Sequence, residues 1–270
     1  MRTLKRRDPA PRASSAQSLR LGAPDGPARP RRLYERHAAA ADRGAWSVER
    51  DVRWAAIDPA RAHATPAILG QLRQAALIES FHPVNLARLL RLTWDDPDAS
   101  VVFSLELYEG FKHFHALRRY LDAVGYLPAI TDAEIVAIRR TAIEVEVDPG
   151  ELIGRLVEFM LSEHLATYFF RRLSEQTEER VLRDLLAMIA ADEVRHAQSA
   201  SDLIAKRISA DRALVPQVLE AAVHVRHFGE EAVGDVPVAM PGDPLAIRTF
   251  ARRIERLCGT RLVDHLKARL

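Results

Sequence analysis

Cysteine is nearly absent from this chain: 270 residues include one, Cys258. That excludes an internal disulfide and any zinc or iron–sulfur site built on cysteines, and it points to a reducing, cytoplasmic setting. No apolar run approaches the ~18 residues of a membrane span. The start shows no charged-then-apolar signal pattern. There is no alternating strand pattern, no internal repeat, and no flavin or nicotinamide fingerprint. One-signed charge is also missing, because 39 Lys/Arg against 37 Asp/Glu leave a net charge of +2. With 48 % hydrophobic residues, what remains is a chain able to bury a sizeable helical core.

The charge is unevenly spread. Residues 1–36 hold ten Lys/Arg, three Asp/Glu and five of the fifteen prolines. This composition predicts a disordered basic tail over 1–36, because it buries too little apolar surface to fold. Such an arm suits an acidic carrier protein better than nucleic acid, and a solvated leader is the plain reading. A single helical domain is predicted over 37–270. Residues 45–57 read as a capping segment or short helix. A helix begins at Thr65-Pro66, kinks near Pro83 and resumes to Thr93. Asp96-Pro97 opens another, ending before Gly125. Thr131 to Glu134 has the form of a capping box. Asp148-Pro149-Gly150 breaks the chain before a helix centred on Glu163. The longest helix runs from Glu178 to about Ile208. Further helices are predicted near 213–228 and 244–257, joined by an extended connector at 234–241.

Chemistry concentrates in Ala190-Ala191-Asp192-Glu193-Val194-Arg195-His196. Glu193 and His196 are three apart and leave the same helix face, among Leu185, Leu186, Ile189 and Ala197. A carboxylate and an imidazole on an apolar stripe must be paired or bound to something. Three other apolar helices carry comparable groups. Glu79 follows Ala75-Ala76-Leu77-Ile78. Glu163 lies among Leu156, Phe159, Met160 and Phe170. Glu106, Glu109 and His113 fall within about 60° on a helical wheel. Glu79, Glu109, His113, Glu163, Glu193 and His196 together make four carboxylates and two imidazoles. That is the complement of a dinuclear metal site held inside four helices. His82, His115, His224 and His227 read as core or surface residues.

On these residues the chain resembles the soluble acyl-carrier-protein desaturases of the ferritin-like superfamily. The last metal-binding helix of that family is similar to Ile189–Ile208. Its first Glu-x-x-His helix is similar to Lys112-His113 with Leu117–Leu121, and its second single-Glu helix to Ser162–Thr167. The resemblance covers roughly 65–210. It implies an all-α, ferritin-like four-helix bundle with additional C-terminal helices, and two iron ions, with manganese or a mixed iron–manganese pair as alternatives. It further implies that Glu109 and Glu193 bridge the ions while Glu79 and Glu163 are terminal. Thr167 is then the catalytic threonine, and Asp192 orients His113. A homodimer, an external electron donor such as a ferredoxin, and an acyl-carrier-protein partner are expected. So is an elongated substrate channel, with Phe103, Phe159, Met160 and Phe169 either lining it or, as is commoner, filling the core.

Two departures from the family matter. Gly110 stands three before His113, where the family has its bridging Glu, and Glu109 is four before it. A π-type bulge between Leu105 and His113 would absorb the extra residue; without one, Glu106 is the alternative ligand. Thr167 follows Glu163 by four residues rather than three, which leaves His164 as another alternative. The expected activity is O2-dependent oxidation of desaturase or hydroxylase type on an apolar or carrier-bound substrate. An arylamine N-oxygenase and a non-catalytic ferritin-like metal-binding protein are the other readings.

Overall fold

The long helices begin where an acidic cap or a proline stands. The computed structural model describes residues 32–143, 148–224 and 244–268. Among them the secondary structure is entirely helical. Helix α1 spans Leu33–Gly44, α2 Pro59–His63, α3 Pro66–Glu79, α4 His82–Leu92 and α5 Pro97–Ala123. Next come α6 Asp132–Ile143, α7 Leu152–Gln176, α8 Arg180–Ala210 and α9 Val215–Val223, then α10 Pro244–Cys258 and α11 Leu262–Lys267. Asp96 caps α5 by accepting from the amides of Asp98 and Ala99, with Pro97 in the first turn. Glu179 caps α8 by accepting from Leu182 N at 2.7 Å. The break between α3 and α4 has a covalent cause: Pro83 has no N–H for the carbonyl one turn back, so the helix ends at Glu79 and restarts at His82.

The polar residues of the site form a layer between two apolar clusters. One cluster holds Leu72, Leu77, Leu117, Phe170, Leu186 and Ile189. The other holds Leu86, Phe103, Leu156, Phe159, Leu203 and Ile204. Segment α3–α4 runs from the first cluster to the second, and α8 does the same. Helices α5 and α7 run the opposite way, and the segment between them, which includes α6, carries the chain back. Helix α5 packs on α3, α4 and α8, while α7 packs on α8 and α4. A layer of carboxylates is thus enclosed on both sides by tightly packed apolar side chains.

Several expectations shift. Leu33–Arg36, assigned by composition to the tail, form the first turn of α1, whose exposed face is polar enough to resemble tail sequence. Residues 1–31 and the connector at 234–241 lie outside the described residues, as does the end of the helix predicted over 213–228. Residues 45–57 are turns ending in a short 3₁₀ segment at Trp54–Ala56. Helix α5 is α-helical throughout, so the π-type bulge is not formed. No helix of the described residues is long and apolar enough to cross a membrane. Phe103, Phe159 and Met160 are fully buried and fill the second cluster, and Phe169 packs in the first.

Candidate metal centre

Glu193 organises the centre. It is fully buried on α8, and its two carboxylate oxygens face different partners. Oε1 lies 3.0 Å from His113 Nδ1, and Oε2 lies 3.0 Å from His196 Nδ1. Two groups of potential ligands result. Glu79, His113 and Glu193 converge on one side, and Glu163, Glu193 and His196 on the other, all buried. Each group can hold a metal ion, and Glu193 belongs to both. The i,i+3 spacing that brings Glu193 and His196 to one helix face is what lets one carboxylate serve both groups.

The two imidazoles are held alike. His113 turns Nδ1 toward Glu79 and Glu193, and its Nε2 lies 2.9 Å from Asp192 Oδ2. His196 turns Nδ1 toward Glu163 and Glu193, and its Nε2 lies 2.8 Å from Glu109 Oε2. A carboxylate on the far ring nitrogen fixes tautomer and orientation, as it does for metal-ligating histidines generally. Cations neutralise these outer acids. Lys112 Nζ is 2.9 Å from Asp192, and Arg195 Nη2 is 2.7 Å from Asp192 and 2.6 Å from Glu109. Trp46, in the turn after α1, donates from Nε1 to Asp192 at 2.8 Å and stacks on His113 with its plane tilted by 6°.

Glu109 therefore occupies a different place from the one the sequence suggested. In an unbroken α-helix the four-residue spacing to His113 carries its carboxylate to His196 Nε2 and Arg195, and it joins neither converging group. Glu106 also joins neither. It is buried, it accepts from Ser199 Oγ, and burial pushes its carboxyl up to about 8. His164 belongs elsewhere: its Nε2 meets Ala246 O and Thr249 Oγ1 where α7 packs on α10. Thr167 is buried one turn beyond Glu163 and donates to that residue's backbone carbonyl at 3.0 Å. Asp192 meets His113, as the resemblance implied, and Arg195 as well.

The sequence reading missed two participants. Trp46 lies in a stretch read only as a capping segment or short helix, with no chemistry assigned to it. His82, set aside as a core or surface residue, lies 2.9 Å through Nδ1 from Glu79 Oε2 and 3.4 Å through Nε2 from Glu163 Oε1. Its signal was present, since Glu79 and His82 stand three apart like Glu193 and His196.

Electrostatics describe a hole that requires positive charge. With Asp192 and Glu109 neutralised by Lys112 and Arg195, three inner carboxylates remain: Glu79, Glu163 and Glu193. Burial acts to raise all three. The imidazoles of His82 and His113 nevertheless bring Glu79 down to about 2. Glu193, beside Glu163, rises to about 7. Burial opposes charge on His113, yet Glu193 and Asp192 raise it to about 10. His82 and His196 are raised in the same way by the carboxylates around them. Protons on imidazole hold the positive charge that a metal ion would supply.

A cleft of about 170 Å³ reaches this centre between α1, α5 and α8. His37, Val102, Leu105, Glu106 and Ser199 are among the residues on its wall, and His196 is part of its lining. Comparison with protein-family models gives no match, and no curated protein sequence matches the chain.

Asp192→Asn tests the outer shell of the centre. The amide retains the shape but leaves Lys112 and Arg195 facing a neutral group and loosens His113. Metal affinity is expected to fall roughly 10- to 100-fold with the helical signal retained. Calorimetric titration with Mn(II) measures this, and unchanged affinity would rule out Asp192 as an orienting group.

Proposed function

We propose that this protein is a ferritin-like, dinuclear-iron oxidoreductase that uses O2 in a reaction of desaturase or hydroxylase type. The observation that carries the reading is Glu193, whose two oxygens are divided between two buried ligand groups. The chain direction supports the fold assignment: α3–α4 and α8 run one way, α5 and α7 the other, with one long crossover as in ferritin-like bundles. Carboxylate and imidazole ligands without thiolate suit iron or manganese.

Bound iron would supply electrons to O2 and the oxidising power to attack an unactivated C–H bond. The remaining contributions come from the chain. Glu79 and His113 would hold one ion and Glu163 and His196 the other, with Glu193 available to both. Asp192 and Glu109 fix the two rings, and Trp46 and Lys112 hold Asp192 in turn. The apolar clusters above and below exclude water, which strengthens every charge interaction in the layer. Glu106, whose carboxyl burial raises to about 8, lines the cleft with His196, where it would serve as a proton donor near neutral pH. An apolar or carrier-bound substrate would enter by this cleft. The chain carries no flavin or nicotinamide fingerprint, so electrons would come from a separate donor such as a ferredoxin.

Anaerobic loading with Fe(II), followed by exposure to O2, tests the reading. Two ions per chain, rapid O2 uptake and an absorption band of oxidised iron are expected. Metal retained without O2 uptake would favour a non-catalytic ferritin-like protein instead. N-oxygenation of an arylamine is a less favoured activity of the same site. Turnover of arylamines, with none of acyl carriers, would replace the desaturase reading by that one.

A further inference from the structure

A four-helix dinuclear site draws a Glu-x-x-His pair from each of two helices. On α8 the pair is Glu193 and His196. On α5 the position three before His113 is Gly110, so one of the two expected bridging carboxylates is missing. The space is not vacant. A Cβ built on Gly110 would lie 2.7 Å from His82 Cγ and 2.8 Å from its Nδ1. No real side chain fits at that distance, so the glycine is what admits the imidazole. The ring is 8 % exposed and is delivered by the break between α3 and α4.

His82 is held partly as the other two histidines are. Its Nε2 lies 3.4 Å from a carboxylate, Glu163 Oε1, although Glu163 belongs to a ligand group whereas Asp192 and Glu109, which hold His113 and His196, do not. Its Nδ1 faces the inner cluster, again like theirs. Four buried atoms on that side make no hydrogen bond: Glu79 Oε2, His82 Nδ1, His113 Nδ1 and Glu193 Oε1. Glu79 Oε2 and His82 Nδ1 are only 2.9 Å apart, yet the N–H direction misses the oxygen. Buried polar atoms otherwise pair, and a cation is a partner that two carboxylate oxygens and two imidazole nitrogens can share.

Building on the dinuclear reading, we propose that His82 is a metal ligand through Nδ1: the ring stands beside Glu79 but outside the converging group, and an ion would draw it in to join Glu79, His113 and Glu193 in place of the carboxylate that Gly110 lacks. The centre then has three carboxylates and three imidazoles, and Glu193 is its sole protein bridge. Its donor set is one negative charge poorer than a four-carboxylate site, which leaves the other bridging position to an exogenous anion or solvent.

The test uses the full chain loaded anaerobically with Fe(II). X-ray absorption of the wild type should count three imidazoles per pair of irons. His82→Ala should bind the ion on the Glu79 side more than about tenfold more weakly while keeping the ion on the Glu163 side. Added imidazole should restore the loss by filling the space left. Gly110→Ala, whose methyl group displaces the ring, should reproduce the defect. A helical His82→Ala that binds both irons with wild-type affinity would overturn the proposal while leaving the dinuclear reading intact. So would a wild-type count of two imidazoles, which does not depend on how the variants fold. A wild type that takes up no iron at all would overturn both.

Discussion

Glu193→Ala is expected to abolish metal binding at both positions, whereas Glu79→Ala and Glu163→Ala should each remove one ion. The difference follows from geometry. Glu79 and Glu163 each belong to a single ligand group, while the two oxygens of Glu193 serve both. Removing it also takes away the carboxylate that faces Nδ1 of both His113 and His196. Metal-linked stability gives a readout independent of turnover. At an ion concentration 100 times Kd, each site adds about 2.7 kcal/mol to the folded state. The wild type should therefore gain substantially on metal addition, Glu79→Ala and Glu163→Ala about half as much, and Glu193→Ala nothing. Thermal unfolding with and without Mn(II), alongside metal analysis, measures this. Two ions retained by Glu193→Ala would refute the shared-carboxylate description.

How much of this was legible in the sequence depended on the range of the signal. Helix starts are local, so Asp96-Pro97, Thr131 and the break at Pro83 could be read directly. Glu163, Glu193 and His196 stood out because charge on an apolar stripe is costly without a partner, and that also follows from neighbours along the chain. Glu109 was read together with His113 on the assumption of a bulge; in the regular helix that forms, one residue of offset turns a side chain by about 100°, and Glu109 lies at His196 Nε2. Trp46 and α1 escaped because their roles are tertiary: α1 packs on α5 and α8, and Trp46 meets Asp192 across 146 residues. His82 escaped for a subtler reason. Its three-residue spacing from Glu79 was a local sign, but that the ring fills the space beside Gly110 is a tertiary fact that the sequence does not print.

Raising pH should weaken the metal-free protein and at the same time strengthen its hold on metal. Between pH 6 and 9 the inner groups that titrate share one sign. His113 is raised from 6.5 to about 10, so its contribution to stability is complete below about 6.5 and is lost as pH rises through 10. Glu193 and Glu106 are raised from 4.5 to about 7 and about 8, chiefly by burial. The native state keeps protons there that the unfolded chain has released, so these groups also cost stability as pH climbs from about 4.5 through 8. Glu79 acts at the other end. Lowered to about 2, it contributes above 4.5 and is lost only as pH falls through 2. Between pH 6 and 9 the metal-free protein should therefore lose stability, by several kcal/mol at about 1.4 kcal/mol per pKa unit. Glu106→Gln, which copies the neutral carboxyl, should remove part of that loss. Metal reverses the trend because it displaces the imidazole protons. Mn(II) affinity should rise over the same interval, with protons released in proportion, measurable by calorimetry in two buffers of different ionisation enthalpy. Metal-free stability that rises from pH 6 to 9, or Mn(II) binding without proton release, would mean that the three inner carboxylates are not balanced by protonated imidazoles.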